Sequence, residues 1–439
     1  MKNERAKSDI TKPLYETDGQ LYDFTARVID CVELKQDSGK KLYGIVLDET
    51  AFFPEGGGQQ ADTGYFEPVR ELYDNASDRL LQPEGSDDSE QGADARTAYM
   101  MNVMDVQTDE NGCILHYIDK PLAAGTVVTG HVDKDIRFAR MQNHSGEHLV
   151  SGLIYSMFGY DNVGFHMLET GARFDCSGPL DSKQLDELEK AANRAIYENV
   201  PIKISYPDKA EAAGLEYRSK LDIEEGIRLV TIEGYDVCAC CAPHLKSTGQ
   251  IGVIKIIDAM PHRGGMRITM AAGMDALNDY CMLHNNNGKI MALLSSKRED
   301  TADYSKDFAD RFQKLKEENA GLKKEMTAII TERVLEKIRS RKAEDTSVEV
   351  IFTEALDNTG LRNLINSCTE IFDGVVAGFM GNDAEGYRYI LSTKGHKDIQ
   401  EVNRAIIEKL SGRGGGNKQM IQGSLTATEV KIRQVLGKL

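Results

Sequence analysis

The chain has 439 residues, 70 of them acidic and 53 basic, and its net charge of −17 argues against indiscriminate binding to a phosphate backbone while leaving room for a small, salt-sensitive basic face. With 41% hydrophobic residues it can build several cores across two to four domains of ~100–200 residues, and no apolar run approaches the ~18 residues that would span a bilayer. A polar start over Met1–Lys7 is no secretory signal and eight dispersed cysteines are no disulfide framework, so no membrane is expected and a reducing cytoplasm fits best.

Residues 18 to about 70 read as β structure, because Leu21–Ile29 and Lys41–Leu47 alternate apolar and polar positions. Between Asp48 and Gly64 the chain runs through Thr50, Gly56, Gly57, Gly58, Gln59 and Asp62. Three consecutive glycines allow close approach of a ligand to the backbone, and an ordinary hairpin loop explains them about as well. Residues 71–97 are acidic and poor in aromatics, which reads as a solvated insertion. Strand patterning resumes at Tyr99–Met104 and at Gly130–Asp133, closing a small β domain near residue 137.

The next stretch carries the strongest chemical signal. Phe138, Met141, Leu149, Leu153 and Ile154 recur at helical spacing, and His144 and His148 stand one turn apart on that helix, so both imidazoles can grip one ion. Further on, Cys238, Cys240, Cys241 and His244 supply a thiolate and a third imidazole, a donor set that suits Zn²⁺. A helix is predicted over 182–198, capped by Ser182 or Asp181, with strands near 202–206, 228–232 and 251–257.

Residues 290–342 are charged and helical. Phe308, Phe312, Leu315, Asn319, Leu322, Met326 and Ile329 follow heptad spacing, which predicts either pairing of two chains or a helical hairpin within one chain. The last hundred residues read as a separate α/β unit, with strands at 348–352, 375–380 and 387–391 and helices at 360–371 and 398–410. Ser411–Lys418 follows as a glycine-rich loop whose N–H groups and two cations, Arg413 and Lys418, suit a phosphate or sugar edge; a flexible turn is the alternative. The fold class is therefore α+β and multidomain: an N-terminal β-barrel-like domain over 18–137, a zinc-binding domain over 138–275, a helical linker over 276–344 and a C-terminal domain over 345–439.

Taken in order, these motifs resemble the editing half of alanyl-tRNA synthetases and the free-standing AlaX-type alanyl-tRNA editing proteins, in the long form that ends in a DHH-associated domain. The resemblance rests on the Asp48–Gly64 segment, His144 and His148, Gly171–Asp175, Arg228–Val237, Cys240 to His244, and Gly412–Gly416. It implies one Zn²⁺ per chain held by His144, His148, Cys240 and His244. It also implies a catalytic neighbourhood at Thr50 and Gln59, substrate contacts at Gly57, Gly58, Arg173 and Asp236, and tRNA contacts at Arg413, Gly414, Gly415, Gly416 and Lys418. The implied activity is hydrolysis of the ester joining a wrong amino acid, serine or glycine, to alanine tRNA, with no aminoacylation domain ahead of the β domain. An apolar alanine pocket cannot strongly reject a residue that merely adds a hydroxyl, so a second, hydrolytic test is needed. One departure stands out. Where the family usually has Cys-Gly-Gly-Thr-His, this chain has Cys240-Cys-Ala-Pro-His244, and Cys238 and Cys241 are rival thiolates.

Two other classes fit parts of the pattern. His144 to His148 also spells H-x-x-E-H, the zinc motif of certain peptidases in which Glu147 would be the general base, with Glu224 or Glu225 as a distant ligand. A tRNA-binding protein with a purely structural zinc is the other. Whether the ion activates water or only positions substrate is open at this point, because four protein ligands leave no vacant position.

Overall fold

The computed structural model describes residues 11–34, 41–69, 100–219, 226–340, 348–395 and 398–439. The acidic insertion and Glu224 and Glu225 lie outside the described residues. Two compact units divide near Asn286.

In the first unit, β1 (Lys12–Pro13) pairs in parallel with β4 (Glu49–Thr50), beside a six-stranded closed barrel. The barrel strands are β2 (Asp23–Leu34), β3 (Leu42–Leu47), β5 (Gly64–Pro68), β6 (Met101–Thr108), β7 (Ile114–Ile118) and β8 (Val127–Val132), closed in the order β2-β3-β7-β6-β5-β8. The alternation read in the sequence sends Phe24, Ala26 and Val28 inward, where they meet Phe52, Phe53, Phe66 and Ile118.

Helix α1 (Lys134–Phe158) leaves the barrel, capped by Asp133, whose carboxylate accepts from Ile136 N at 3.2 Å, and stopped by Gly159 in the left-handed region. It packs on a four-stranded antiparallel sheet of β9 (Asn162–Met167), β10 (Ala172–Cys176), β14 (Ile254–His262) and β15 (Gly265–Ala272), ordered β14-β15-β10-β9. Helix α2 (Ser182–Glu198) begins at Asp181 with a full capping box to Gln184, so of the two predicted caps Asp181 is the one used. A three-stranded sheet of β11 (Ile202–Ser205), β12 (Leu229–Ile232) and β13 (Asp236–Ala239) carries the second half of the site, and α3 (Lys209–Ala212) is a single turn beside it. The core between α1, α2 and these sheets is apolar, with Met141, Leu149, Leu153, Phe174, Leu188 and Ile268 buried together.

Helix α4 (Gly273–Leu294) crosses the division between the units, and the second unit holds α5 (Thr301–Ser340), a 40-residue helix. The stretch expected to be helical over 290–342 contains the end of α4 and all of α5, separated where Ser295 takes a left-handed φ of 52°. The heptad positions of α5 face solvent, with Phe308 60% and Leu322 65% exposed. Its last turns, at Ile330, Val334 and Ile338, pack against α6 (Asn358–Ile371). Among the described residues nothing covers the seam. The unit's five-stranded sheet is ordered β16 (Val348–Thr353), β17 (Val375–Asn382), β18 (Gly386–Ser392), β20 (Met420–Leu425), β19 (Arg413–Gly416), with α7 (Ile399–Leu410) and α8 (Glu429–Leu436) on one face and α6 on the other. Arg413–Gly416 corrects the expectation of a glycine-rich loop: it is an edge strand hydrogen-bonded to β20, so part of its backbone is already paired. Among the described residues no helix is long and apolar enough to cross a membrane.

Candidate metal centre

The middle of α1 is buried on every side, including the polar residues Gln142, Asn143, His144, Ser145, Glu147, His148 and Ser151. Such groups must find partners, since an unpaired buried polar atom costs about 1–3 kcal/mol. Asn143 is held by Asp275 Oδ2 at 2.7 Å and accepts from Ala272 N at 2.8 Å, and Gln142 donates to Gln250 O at 3.0 Å. Three of the remaining contacts define the site.

His144 Nδ1 lies 2.7 Å from Gln59 Oε1, His244 Nδ1 lies 3.1 Å from Ser145 Oγ, and His148 Nδ1 lies 3.2 Å from Asp236 Oδ2, close but out of line for a good hydrogen bond. An outer partner on Nδ1 leaves Nε2 as the inward atom, which is how histidine ligands are oriented. Cys240 Sγ stands 3.6 Å from His144 Nε2 and 3.3 Å from His244 Nε2. A tetrahedral ion with bonds near 2.0–2.1 Å to nitrogen and 2.3 Å to sulfur separates its ligand atoms by about 3.5 Å. The ligand atoms of His144, His148, Cys240 and His244 lie within 4.8 Å of one another, so the donor set fits one metal ion with little rearrangement.

Charge at Cys240 and His244 supports the same reading. Burial raises the Cys240 thiol, yet the His144 and His244 imidazoles beside it hold it well below the ordinary thiol value, in the thiolate form that binds metal. Burial lowers His244 to about 3, keeping it neutral, as a ligand must be. Cys238 and Cys241 are both pushed up, first by burial. Cys238 belongs to a second buried group with His148 and Asp236, on the far side of the His148 ring. Cys241 is exposed.

The remaining sequence expectations sort by position. Gly57 lines a cavity of about 200 Å³ together with His144, Glu147, His148, Phe165 and Cys240. Gly58 takes a φ of +85°, and a Cβ there would meet Phe165 O at 2.7 Å, so only glycine lets this segment lie against β9. Gln59 sits behind His144, its Nε2 buried without a partner. Thr50 lies inside the barrel wall, its hydroxyl shared between His116 Nε2 at 2.8 Å and Phe52 N at 3.1 Å, and it does not line the cavity. Asp236 is behind His148 and clamped by Arg218 through two hydrogen bonds of 2.7 and 2.8 Å. Arg173 points to the sheet face opposite its buried neighbour Phe174, away from α1, as strand alternation requires. Glu147, the general base of the peptidase reading, is buried in the cavity wall; its carboxylate accepts from Ser151 Oγ at 2.5 Å and from Asn162 Nδ2.

Sequence reading missed Ser145, Arg218 and Arg228. Arg228 donates to Cys240 O at 2.6 Å and Ala242 O at 3.0 Å, fixing the turn that presents Cys240. Its place at the head of the Arg228–Val237 motif was the available signal. Ser145 and Arg218 carried none, because their partners are remote in sequence.

A mixed α+β fold with a closed barrel and a buried three-histidine, one-cysteine cluster defines a candidate metalloprotein. The domain described as "Threonyl and Alanyl tRNA synthetase second additional domain" matches residues 227–269, which include Cys240 and His244. Along most of its length the chain is similar to alanine–tRNA ligases. It is 26% identical to that of Ignicoccus hospitalis over 98% of this chain and 43% of the relative, and 28% identical to that of Archaeoglobus fulgidus over 94% and 42%. With the enzyme of Natronomonas pharaonis it shares 32% identity over 61% of this chain and 26% of the relative. The chain thus spans less than half the length of these relatives.

Proposed function

We propose that this protein is a trans-editing deacylase that hydrolyses the ester between alanine tRNA and a wrongly attached amino acid, chiefly serine, and that charging tRNA is no part of its activity. The observation that carries the reading is the contact of Gln59 Oε1 with His144 Nδ1, which joins the glycine-rich segment to the metal cluster in a chain similar to alanine–tRNA ligases. His144, His148, Cys240 and His244 would hold a Zn²⁺ ion, for which three nitrogens and a thiolate are an ordinary donor set. The ion supplies Lewis acidity and a fixed positive charge beside the cavity.

The chain's own residues do the positioning. Gln59 orients His144, Ser145 orients His244, and Asp236, itself fixed by Arg218, backs His148. Gln59 Nε2 is a buried donor with no partner among the described residues. The Gly57–Gly58 backbone and the phenyl ring of Phe165, stacked on His144 with centroids 4.7 Å apart, shape the cavity and exclude water. Thr50, whose hydroxyl is already shared with His116 and Phe52, acts in this reading beneath the glycine-rich segment rather than on the substrate. Discrimination then rests on a polar contact to the serine hydroxyl that alanine cannot make. The C-terminal unit would be the DHH-associated tRNA-binding domain, and the exposed seam of α5 would pair two chains.

The test is incubation of the purified protein with seryl-, glycyl- and alanyl-tRNA. Loss of the seryl ester with the alanyl ester spared supports the reading. Intact seryl ester alongside tight tRNA binding indicates a non-catalytic tRNA-binding protein. The peptidase alternative is weakened by Glu147, whose carboxylate is committed to Ser151 and Asn162.

A further inference from the structure

The second unit contains a cavity of about 540 Å³ bounded by the first turn of α6 and the sheet face beside it. Its wall includes Arg362, Arg388 and Arg413 and no carboxylate. None of these arginines forms an ion pair among the described residues, and Arg362 donates to Gln422 Oε1 at 2.9 Å. The nearest N-capping acid, Asp357, is taken up by Gly360 N at 2.9 Å and by Lys323. Three unpaired guanidiniums around one opening are unexpected in a chain of net charge −17.

Sheet register explains how they meet. Arg388 on β18 stands opposite Ser424 on β20, and Ser424 stands opposite Arg413 on β19, so the two arginines flank one serine in a single row. With strands about 4.8 Å apart their Cα atoms are about 10 Å apart, on the same face. That face is the one α6 covers through Leu361, Leu364 and Ile390; α6 starts short of the row, and Arg362, one turn in, overhangs it. The edge strand can lie this close because it is glycine: a Cβ at Gly414 would meet Tyr389 Oη at 2.0 Å.

We propose that this cavity is an anion site for the backbone phosphate of RNA, with Arg362, Arg388 and Arg413 as its fork donors and Ser424 and Gln422 as neutral partners. The inference rests on the tRNA reading above and deepens it by placing the contact in a cavity rather than on a mobile loop. A row of guanidiniums open to solvent suits a strand of linked phosphates; a free phosphate or mononucleotide would use the same chemistry.

The experiment uses the full chain and labelled alanine tRNA, with anisotropy titrations across a series of salt concentrations. Arg362→Gln, Arg388→Gln and Arg413→Gln should each weaken binding and lower the log–log salt slope by about one, and the triple variant by about three, with an affinity loss on the order of a hundredfold or more. Lys409→Gln, on α7 across the sheet, removes the same charge outside the cavity and should leave the slope within error. All variants should keep the parent's thermal unfolding curve, since the three arginines are exposed. Arg388→Lys should restore the slope while recovering only part of the affinity. Inorganic phosphate and AMP should compete only at millimolar concentration. Parent-like affinity and slope in the triple variant overturns the site while leaving the tRNA reading intact. Micromolar competition by phosphate or AMP overturns it in favour of a free ligand. A parent protein that binds no tRNA overturns both.

Discussion

Arg137 is the deepest charge in the first unit, fully buried against Asp62, which is 1% exposed. Its Nε lies 2.9 Å from both Asp62 oxygens, Nη1 donates to Gly19 O at 2.9 Å, and Nη2 donates to Ala51 O at 2.6 Å and to Asp62. The pair thereby ties α1 to the end of the glycine-rich segment, three residues beyond Gln59. In Arg137→Met, Asp62 would retain only the Phe53 N–H at 2.7 Å and Arg140 at 3.9 Å. Removing one member of a buried pair costs about 3–5 kcal/mol, because the other charge stays desolvated. We expect that loss in the unfolding of the first unit. The chain has no tryptophan, so urea unfolding is best followed by far-UV circular dichroism, with hydrogen exchange of the α1 amides reporting on this unit. Protection should fall by about 10²-fold at the lower figure and about 4 × 10³-fold at the upper. Adding Asp62→Leu should recover much of the loss, since an apolar pair leaves no orphan charge. A cost under about 1 kcal/mol for Arg137→Met would refute the reasoning.

Elemental analysis should find about one zinc per chain, lost in His148→Ala and Cys240→Ser but kept in Cys238→Ser and Cys241→Ser; zinc retained in Cys240→Ser would move the thiolate to a neighbour. Glu147→Gln should keep its zinc and deacylate seryl-tRNA within about tenfold of the parent, whereas a thousandfold drop with zinc bound would make Glu147 a general base. His116, lowered to about 4 by burial, is neutral in the folded barrel, so its contribution is complete above pH ~6.5 and is lost as pH falls toward about 4. That window spans about 3 kcal/mol, and His116→Gln should flatten the acid limb of a stability profile by a comparable amount; identical limbs would contradict it. Sedimentation at micromolar concentration should find a dimer through the α5 seam, and a monomer would remove that assignment.

Sequence alone determined what depends on spacing within one element. Four residues on a helix place His144 and His148 on one face, Asp181 or Ser182 marks the start of α2, and alternation along Phe24–Val28 lines the barrel. Those rules are local and survive any tertiary arrangement. The tertiary structure decided the pairings between remote residues: Gln59 with His144, Ser145 with His244, Asp236 with both His148 and Arg218. It also brought Cys240, of three neighbouring thiols, within 3.3–3.6 Å of two imidazoles, because the turn held by Arg228 aims it at them, whereas Cys238 groups with His148 and Asp236. Thr50 and Arg413 show the same limit. A threonine in a strand can face a barrel interior or a ligand, and a glycine run can be a loop or an edge strand. Only the packing of distant elements, Thr50 against His116 and Gly414 against Tyr389, selects between those outcomes.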